Sequence, residues 1–198
     1  MSGEDLRIVK TKHAIYEAFL ACLKEIDFLD ISVKDITQRA VINRSTFYKH
    51  YRDKFDLRDQ YVDSVIDHFL SHLDTDFVAV TAVTDEAYFH RLRADLLAFY
   101  QKRDEYLTLW QHNLQSRNVY EEMLVCGAKK LEMVFENAPT ISREKSPLFS
   151  FYAISFISRM LVSIRWWFTD GTWMDVDDFT HLMIQHMSKS LLGTLRGT

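Results

Sequence analysis

Glycine, proline and cysteine are all scarce in this chain, whose 198 residues include five Gly, two Pro and two Cys. The alternation of apolar and polar residues that marks half-buried strands is also absent, so the sequence argues against a β-sheet protein and predicts an all-α one. Cys22 and Cys126 lie in apolar helical contexts. A thiol there acts as a small hydrophobic group, and we expect neither a disulfide nor a redox switch.

Enzyme motifs are missing too. The chain has no Ser or Cys nucleophile motif, no Gly-rich phosphate loop and no Cys cluster. His68 and His72 are four residues apart on a predicted helix, a spacing that can place two imidazoles on one metal ion. Because no Glu completes an HExxH motif, a solvated or packed pair is the better interpretation. We predict no metal, no cofactor and no enzymatic activity.

No secretory signal is visible, because the N-terminus is polar. The longest apolar run, residues 149–168, is interrupted by Ser155, Ser158, Arg159, Ser163 and Arg165. We therefore expect no membrane partner and a cytoplasmic protein. With 47% hydrophobic and 14% aromatic residues, the chain can bury a substantial core in one helical body or two small domains.

The most informative stretch, residues 30–57, contains three predicted helix starts. Ser32 is an N-cap, and Asp35 three positions later completes a capping box. Asn43 and Asp53 are the next two N-caps. Two apolar pairs, Ile31 with Ile36 and Ile42 with Phe47, would form hydrophobic staples at the first two helix starts. The turns between these starts are very short, so they leave room only for a compact helical module.

The helix that begins at Asn43 should present a polar face. Phe47 and Tyr51 lie one turn apart, so we expect them to face the core together with Ile42. Outward-facing residues are Ser45, Thr46, Tyr48 and Lys49, with Arg44 at the edge. From residue 32 to 54, six basic residues outnumber two acidic ones, a formal charge of +4 in a chain of −4. Such a face suits DNA, although pattern alone leaves a generic helical hairpin open.

The run VINRSTFYKHYRDKFDL, residues 41–57, resembles the recognition-helix signature of the TetR/AcrR family of transcriptional regulators. The matching positions are Asn43, Thr46, Phe47, Tyr48, Tyr51, Lys54, Asp56 and Leu57, and the resemblance extends back through a first helix at residues 6–26. It implies a three-helix, helix-turn-helix DNA-binding domain at residues 1–53. A helical regulatory and dimerisation domain at residues 54–198 would follow, with about nine helices in all and a small molecule that modulates operator binding.

The resemblance also implies roles for single residues. Expected DNA contacts are Ser32, Lys34, Arg44, Ser45, Thr46, Tyr48, Lys49, His50 and Lys54. Arg44 is the best candidate for reading a base, because a guanidinium can pair bidentately with guanine. Lys54 would meet a backbone phosphate. His50 is nearer the buried side of the helix, where packing is an equal alternative.

One position departs from the family pattern. After the alanine that ends the second helix, here Ala40, the family usually has glycine, whereas this chain has Val41. A β-branched residue is unfavourable where φ is positive, so a differently wound turn is the expectation.

Beyond residue 57 the pattern predicts helices and little chemistry. The predicted helices cover residues 53–73, 86–102, 105–114, 118–137, 148–170 and 175–195. Residues 138–147, which include both prolines, are predicted to form a surface loop.

The last two helices carry many large apolar residues, and in the family they form a four-helix dimer interface. Expected interface residues are Phe156, Met160, Trp166, Trp167, Phe179, Met183 and Met187. Packing within one protomer is the alternative, although the three aromatic residues at 166–168 cannot all face one core. A homodimer would suit a palindromic double-stranded operator.

The family further implies an effector pocket between the middle helices. Its candidate residues are Phe99, Tyr106, Trp110, Tyr120, Met123, Phe156 and Met160, and core packing is the alternative for each. Residues 165–183 are similar to the branch that includes the activator of the bacterial dihydroxyacetone kinase operon. Action through a protein partner therefore stays open beside ligand-released repression, as does an interaction module that does not use its helix-turn-helix on DNA.

Overall fold

The computed structural model describes residues 3–75, 78, 86–112, 114–139 and 141–188. Helices make up the regular structure in these ranges, and one isolated bridge joins Leu114 to Arg117. The all-α prediction is therefore confirmed. Cys22 is buried, Cys126 is half-buried, and both are free thiols.

The helices in chain order are α1 (Gly3–Leu23), α2 (Val33–Arg39), α3 (Arg44–Tyr48), α4 (Lys54–Ser71), α5 (Glu86–Gln101), α6 (Arg103–Gln111), α7 (Val119–Asn137), α8 (Phe149–Thr169) and α9 (Val176–Met183). A 3-10 helix, Arg143–Leu148, precedes α8, so the predicted loop is wrong at its end; Pro147 lies inside this helix. The last helix is α-helical only to Met183 and continues as a π-helical turn, Ile184–Ser188. Residues 189–195 of its predicted length lie outside the described residues.

Internal contacts divide the chain into two compact units. The first is Met1–Val65 with Asp104–Val119, and the second is Ile66–Arg103 with Tyr120–Thr198. The first unit therefore contains α1, α2, α3 and most of both α4 and α6. The functional boundary after residue 53 does not coincide with this division and stays a prediction.

The core of the first unit is aromatic. Phe19 and Phe28 are buried and meet edge to face, with their ring centroids 6.1 Å apart. Tyr16 packs between Tyr51 and Tyr61, at centroid distances of 6.2 and 4.6 Å. Buried aromatic rings contribute large apolar areas and favourable ring contacts. These contacts hold α1 against the end of α3 and against α4.

Polar contacts fasten residues 104–119 to α4 within the first unit. The buried guanidinium of Arg58 donates to the carbonyl of Leu114 at 3.0 Å, and the hydroxyl of Tyr61 donates to the carboxylate of Glu105 at 2.5 Å. A buried guanidinium is unfavourable unless its donors find acceptors. The position of this segment is therefore coupled to that of α4.

The second unit is organised around Trp167 of α8. Its indole ring stacks on Phe179 of α9, with centroids 4.3 Å apart and planes at 12°. The indole N–H donates to the carbonyl of Met174 at 2.9 Å. Gly127 of α7 packs directly against Phe69, because a Cβ added at this glycine would lie 3.0 Å from the Phe69 ring. Trp167 and Phe179 are therefore packed within one protomer.

One stretch of the described residues, Ser146–Thr169, is long and apolar enough to cross a membrane by length and composition, with 39% of its most apolar window buried. The core helix of a soluble protein meets the same criterion. The side of α8 that carries Ala153, Ile157, Leu161 and Ile164 is buried. The criterion is therefore weak support for a membrane span.

Lys54, the first residue of α4, is held by the segment between α1 and α2. Its ammonium donates to the carbonyls of Phe28 at 3.0 Å, of Ile31 at 2.7 Å and of Leu29. An ammonium has three N–H donors, so these three acceptors use all of them. Charged hydrogen bonds thus tie the connection before α2 to the start of α4.

Lys54→Met should lower the free energy of unfolding by about 2 kcal/mol, because three carbonyls lose a charged donor. Urea unfolding followed by circular dichroism measures the change. Lys34→Met, at an exposed position on α2, is the matched control and should stay within about 0.5 kcal/mol of the wild type. Equal losses in both variants would contradict the anchoring role.

Candidate nucleic-acid interface

Side-chain caps fix the starts of α2 and α4. The amide of Asp35 donates to Ser32 Oγ at 3.3 Å and the amide of Ser32 donates to Asp35 Oδ2 at 2.9 Å, which confirms the capping box. Hydrogen bonds from the Ser32 hydroxyl and then from the Ser32 amide hold the pKa of Asp35 below its usual value. Asp53 Oδ1 accepts from the amides of Phe55 and Asp56, both at 2.8 Å. The Ser32 hydroxyl also donates to Asp35 at 2.6 Å, so its hydrogen is engaged inside the protein.

The turn between α2 and α3 is a Schellman motif with Val41 at its left-handed position. Val41 has a φ of +54°. Its amide donates to the Gln38 carbonyl at 3.3 Å, and the Ile42 amide donates to the Thr37 carbonyl at 3.1 Å. The expectation of a differently wound turn is therefore wrong. The Val41 side chain is 89% exposed, so it meets solvent, and the two closing hydrogen bonds offset the backbone strain.

The short helix α3 presents the predicted polar face. Phe47 and Tyr51 are buried, which confirms the orientation inferred from helical angles. The exposed residues are Arg44, Ser45, Tyr48 and Lys49, with Thr46 half-buried. Asn43 occupies the N-cap position in an extended conformation, but its side chain makes no capping hydrogen bond. The sequence therefore predicted the N-cap position correctly, but the capping hydrogen bond expected from the Asn43 side chain is not formed.

His50 lies half-buried at the end of α3. Its ring centroid is 6.3 Å from that of Tyr51, in agreement with a partly packed role. Burial lowers its pKa, and the charges of Lys12 and Lys49 lower it further. These effects favour the neutral imidazole in the free protein.

Several of the basic residues between positions 32 and 54 have partners within the protein. Arg39 forms an ion pair with Glu25, and Arg52 lies 3.6 Å from Asp56. In the part of the chain that the structure describes, the exposed basic residues of this stretch without an ion pair are Lys34, Arg44 and Lys49. The positive charge available at the surface is therefore concentrated on α3 and the start of α2.

Lys54 has partners inside the protein that compete with its predicted phosphate contact. Its three N–H donors are used by backbone carbonyls, and a phosphate would have to displace one of them. The acceptor at Phe28 lies 26 positions earlier in the chain. Because local sequence does not reveal such a distant partner, the anchoring role of Lys54 could not be predicted.

Helix α1 brings a further cation to this region that the sequence analysis missed. The Nζ atom of Lys12 lies 5.9 Å from the ring centroid of Tyr51, the same ring that His50 approaches. Arg7 and Lys10 are also on α1 and exposed. No local signal distinguishes Lys12 from them, since its place depends on how α1 crosses the end of α3.

Part of the predicted effector set comes together in the second unit. Phe99, Phe156 and Met160 line a cavity of about 30 Å³, which has room for one or two water molecules. A larger molecule would therefore require the surrounding helices to separate. Asp74 and Asp95 line the same cavity. Burial, with the charge of Asp74, raises the pKa of Asp95 to about 6.

The other predicted effector residues do not line this cavity. Tyr106 and Trp110 belong to the first unit, where their ring centroids are 5.6 Å apart. Tyr120 and Met123 are on α7. Tyr106 and Met123 are buried, as expected for core packing, the alternative interpretation.

His68 and His72 form a packed imidazole pair. Their ring centroids are 4.4 Å apart, and both rings approach Phe99, at 6.2 and 6.1 Å. Within the described residues no group of three or more His, Cys, Asp or Glu side chains is arranged to hold a metal ion. The contacts with Phe99 support the packed interpretation of the pair.

Most of the predicted dimer-interface residues belong to the core of a single protomer. The buried members are Phe156, Met160, Trp167, Phe179 and Met183, because α8 and α9 cover each other's aromatic side chains. The side chain of Met187 lies outside the described residues. Trp166 is 37% exposed, so the aromatic residues at 166–168 do divide between core and surface.

The outer face of α8 carries a different apolar set, which we call the α8 stripe. It consists of Phe151, Ile154, Val162 and Trp166, all of them exposed. These positions fall on one side of the helix, roughly opposite the buried Ala153, Met160 and Ile164. The exposed Arg165 and the half-buried Ser158 lie on the same side of the helix, so polar groups interrupt the α8 stripe.

Comparisons with known proteins agree with this architecture. No protein-family model matches the chain. An uncharacterized HTH-type transcriptional regulator of Bacillus subtilis (strain 168), YxbF, is 37% identical over 70 residues, which are 35% of this chain and 18% of that protein. The crystal structure of a TetR transcriptional regulator from Streptococcus agalactiae 2603V matches with a TM-score of 0.58 at 23% identity, covering 93% of this chain and 97% of that one. The chain therefore has a TetR-like fold.

Val41→Gly should raise the free energy of unfolding by about 0.5–1 kcal/mol. Glycine adopts a positive φ without the steric cost of a Cβ, and this gain exceeds the entropy that glycine adds to the unfolded chain. Urea unfolding measures the effect. Val41→Ala keeps the Cβ but removes the branch, so it should stabilise the protein less than Val41→Gly does. A Val41→Gly protein less stable than wild type would contradict the strain at this turn.

Proposed function

We propose that the protein is a cytoplasmic, homodimeric transcriptional regulator that inserts α3 into the major groove of a palindromic DNA operator. The observation that carries this proposal is that one side of α3 is buried in the core and the other side is polar and exposed. Phe47 and Tyr51 attach it to the core, while Tyr48 and Lys49 project outward. Hydroxyl, phenol and cationic groups on one short helix can reach phosphates and base edges together.

Each exposed side chain has a role in this proposal. Arg44 reads a guanine, because it is exposed and has no ion pair among the described residues. The residues proposed to meet phosphates and base edges are Ser45, Thr46, Tyr48 and Lys49. Lys34, exposed on α2, contacts the backbone across the groove. Ser32 contacts a backbone phosphate when its hydroxyl turns from Asp35 and donates to the phosphate instead. Lys54 supports this surface from within.

The comparisons support the proposal to a limited depth. The Bacillus subtilis relative is described as an HTH-type transcriptional regulator, but the alignment spans 18% of its length. The Streptococcus agalactiae structure is described as a TetR transcriptional regulator and matches this chain along 93% of its length. At 23% identity this match supports a common fold. The proposal of DNA binding rests on the exposed face of α3.

Tyr48→Ala and Lys49→Ala should each weaken binding to a duplex from the region upstream of the protein's own gene, by about tenfold. Fluorescence anisotropy between about 50 and 200 mM salt measures the affinity and its salt dependence. Lys49→Ala should also reduce the slope of log K against log salt by about 0.9, the value for one lost phosphate contact.

Lys129→Ala is the control for these variants, because Lys129 is exposed on α7 in the second unit. It should bind as tightly as the wild type. A wild-type protein that binds no fragment of the upstream region, or variants that all bind alike, would overturn the proposal.

Homodimerisation through the α8 stripe would supply the second recognition helix that a palindrome requires. Two half-sites one helical turn apart place their recognition helices about 34–36 Å from each other. The α8 stripe is the surface proposed for this contact, because Trp167, Phe179 and Met183 are already buried within the protomer.

Val162→Glu should convert the dimer to a monomer, since a carboxylate at the middle of an apolar interface loses hydration without gaining a partner. Light scattering coupled to size exclusion measures the mass. Val125→Glu is the matched control: Val125 on α7 is 55% exposed and Val162 is 59% exposed. If both variants stay dimeric, or the wild type is monomeric, the α8 stripe is not the dimer interface.

An effector is proposed to act from the second unit, by entering the cavity at Phe99, Phe156 and Met160. The chain passes between the two units at residues 65–66, 103–104 and 119–120. A rearrangement of α5 or α7 would therefore reach residues 104–119 through the chain. The hydrogen bonds of Arg58 with Leu114 and of Tyr61 with Glu105 would transmit this rearrangement to α4.

A coactivator that works through a protein partner is the second candidate function. The observation that favours it is Trp173, which is 74% exposed in the segment between α8 and α9. Asp170 and Asp175, both exposed, flank it in sequence. Exposed tryptophan side chains are frequent anchors of protein–protein interfaces, and this segment carries the resemblance to the activator branch.

A further inference from the structure

We propose that Lys12 of α1, with Lys49 and His50 at the end of α3, forms a binding site for one backbone phosphate of DNA. The inference rests on the proposed DNA-binding function and extends it to a helix outside the helix-turn-helix. It differs from the contacts implied by resemblance, because it depends on how α1 packs in this structure.

The buried ring of Tyr51 brings these groups together. Lys12 Nζ lies 5.9 Å from the ring centroid of Tyr51, and the imidazole of His50 lies 6.3 Å from the same centroid. Lys49 precedes His50 in the chain and is exposed. The charges of Lys12 and Lys49 both act on His50, so the three groups lie near the point where α1 meets the end of α3.

The electrostatics of this cluster call for an anion. Within the described residues neither Lys12 nor Lys49 has an ion pair. The charges that shift the pKa of His50 come from these two cations, Lys12 of α1 and Lys49 of α3. Neither α2 nor α4 contributes a resolved charge to that shift. Asp56 of α4 is the carboxylate whose charge reaches Tyr51, and it lies 3.6 Å from Arg52. Lys12 and Lys49, which have no ion pair among the described residues, repel one another, and a phosphate relieves this repulsion through charge-assisted hydrogen bonds.

Proton uptake should accompany phosphate binding at His50. In the free protein, burial and the two cations keep the pKa of His50 below its usual value. A bound phosphate raises this pKa, because it stabilises the imidazolium form. The complex therefore binds more protons than its free components between the two pKa values. Affinity should rise as the pH falls through that interval and be independent of His50 above it.

The test compares Lys12→Gln with Lys10→Gln, a charge-matched control two residues away on another side of α1. Anisotropy is measured with the upstream duplex and with a mixed-sequence duplex of equal length, because a phosphate contact acts on both. Lys12→Gln should weaken binding to both by about three- to tenfold and lower the salt slope by about 0.9. Lys10→Gln should leave both quantities close to wild type.

A second pair of variants tests the histidine. His50→Gln should remove the dependence of affinity on pH between about 5.5 and 7.5. His13→Gln is the control, because His13 is exposed and lies 3.4 Å from Glu17 rather than near α3, and it should retain that dependence. Thermal unfolding of each variant reports any loss of structure, which would not change the salt slope selectively.

The outcomes separate this inference from the proposed function. A wild-type protein that binds neither duplex overturns both. Wild-type binding with equal losses in Lys12→Gln and Lys10→Gln, or with an unchanged salt slope in Lys12→Gln, overturns the phosphate site alone. Unchanged pH dependence in His50→Gln removes His50 from the site.

Discussion

A helix of five residues is too short to be stable alone in water, so α3 depends on the burial of Phe47 and Tyr51. Their ring centroids lie 5.5 Å apart, and Tyr51 also packs near Tyr16 of α1. This contact sets the angle at which α3 is held. The direction of Tyr48 and Lys49, and therefore the proposed function, depends on two aromatic side chains that are buried in the protein.

Charge in this region divides between structure and surface. The stretch of residues 32–54 carries a formal +4, yet Arg39 is paired with Glu25 and Lys54 is bound to backbone carbonyls. The exposed basic residues of this stretch that have no ion pair among the described residues lie on α3, at its end and at the start of α2, and α1 adds Lys12. The basic surface is therefore smaller than the sequence indicates, but it draws on one more helix.

Contacts between near neighbours were predictable, and contacts between distant residues were not. The cap between Ser32 and Asp35 spans three positions, and the residue types alone identify it. The ion pair of Arg39 and Glu25 spans 14 positions, so it depends on the path of the whole loop. Val41 lies between these cases: its strain was predictable from its shape, but the turn keeps the left-handed backbone because closing hydrogen bonds to α2 are available.

The sequence alone determined that the protein is helical, where α2, α3 and α4 begin, and which side of α3 is apolar, because periodicity and capping act within a few residues. The tertiary structure decided where each apolar side is buried. A pattern identifies Trp166 and Trp167 as equally apolar, but only the packing of α9 places Trp167 in the core and leaves Trp166 at the surface. The positions of Lys12 and Lys54 could not be predicted from the sequence for the same reason, since their contacts are with residues far away in the chain.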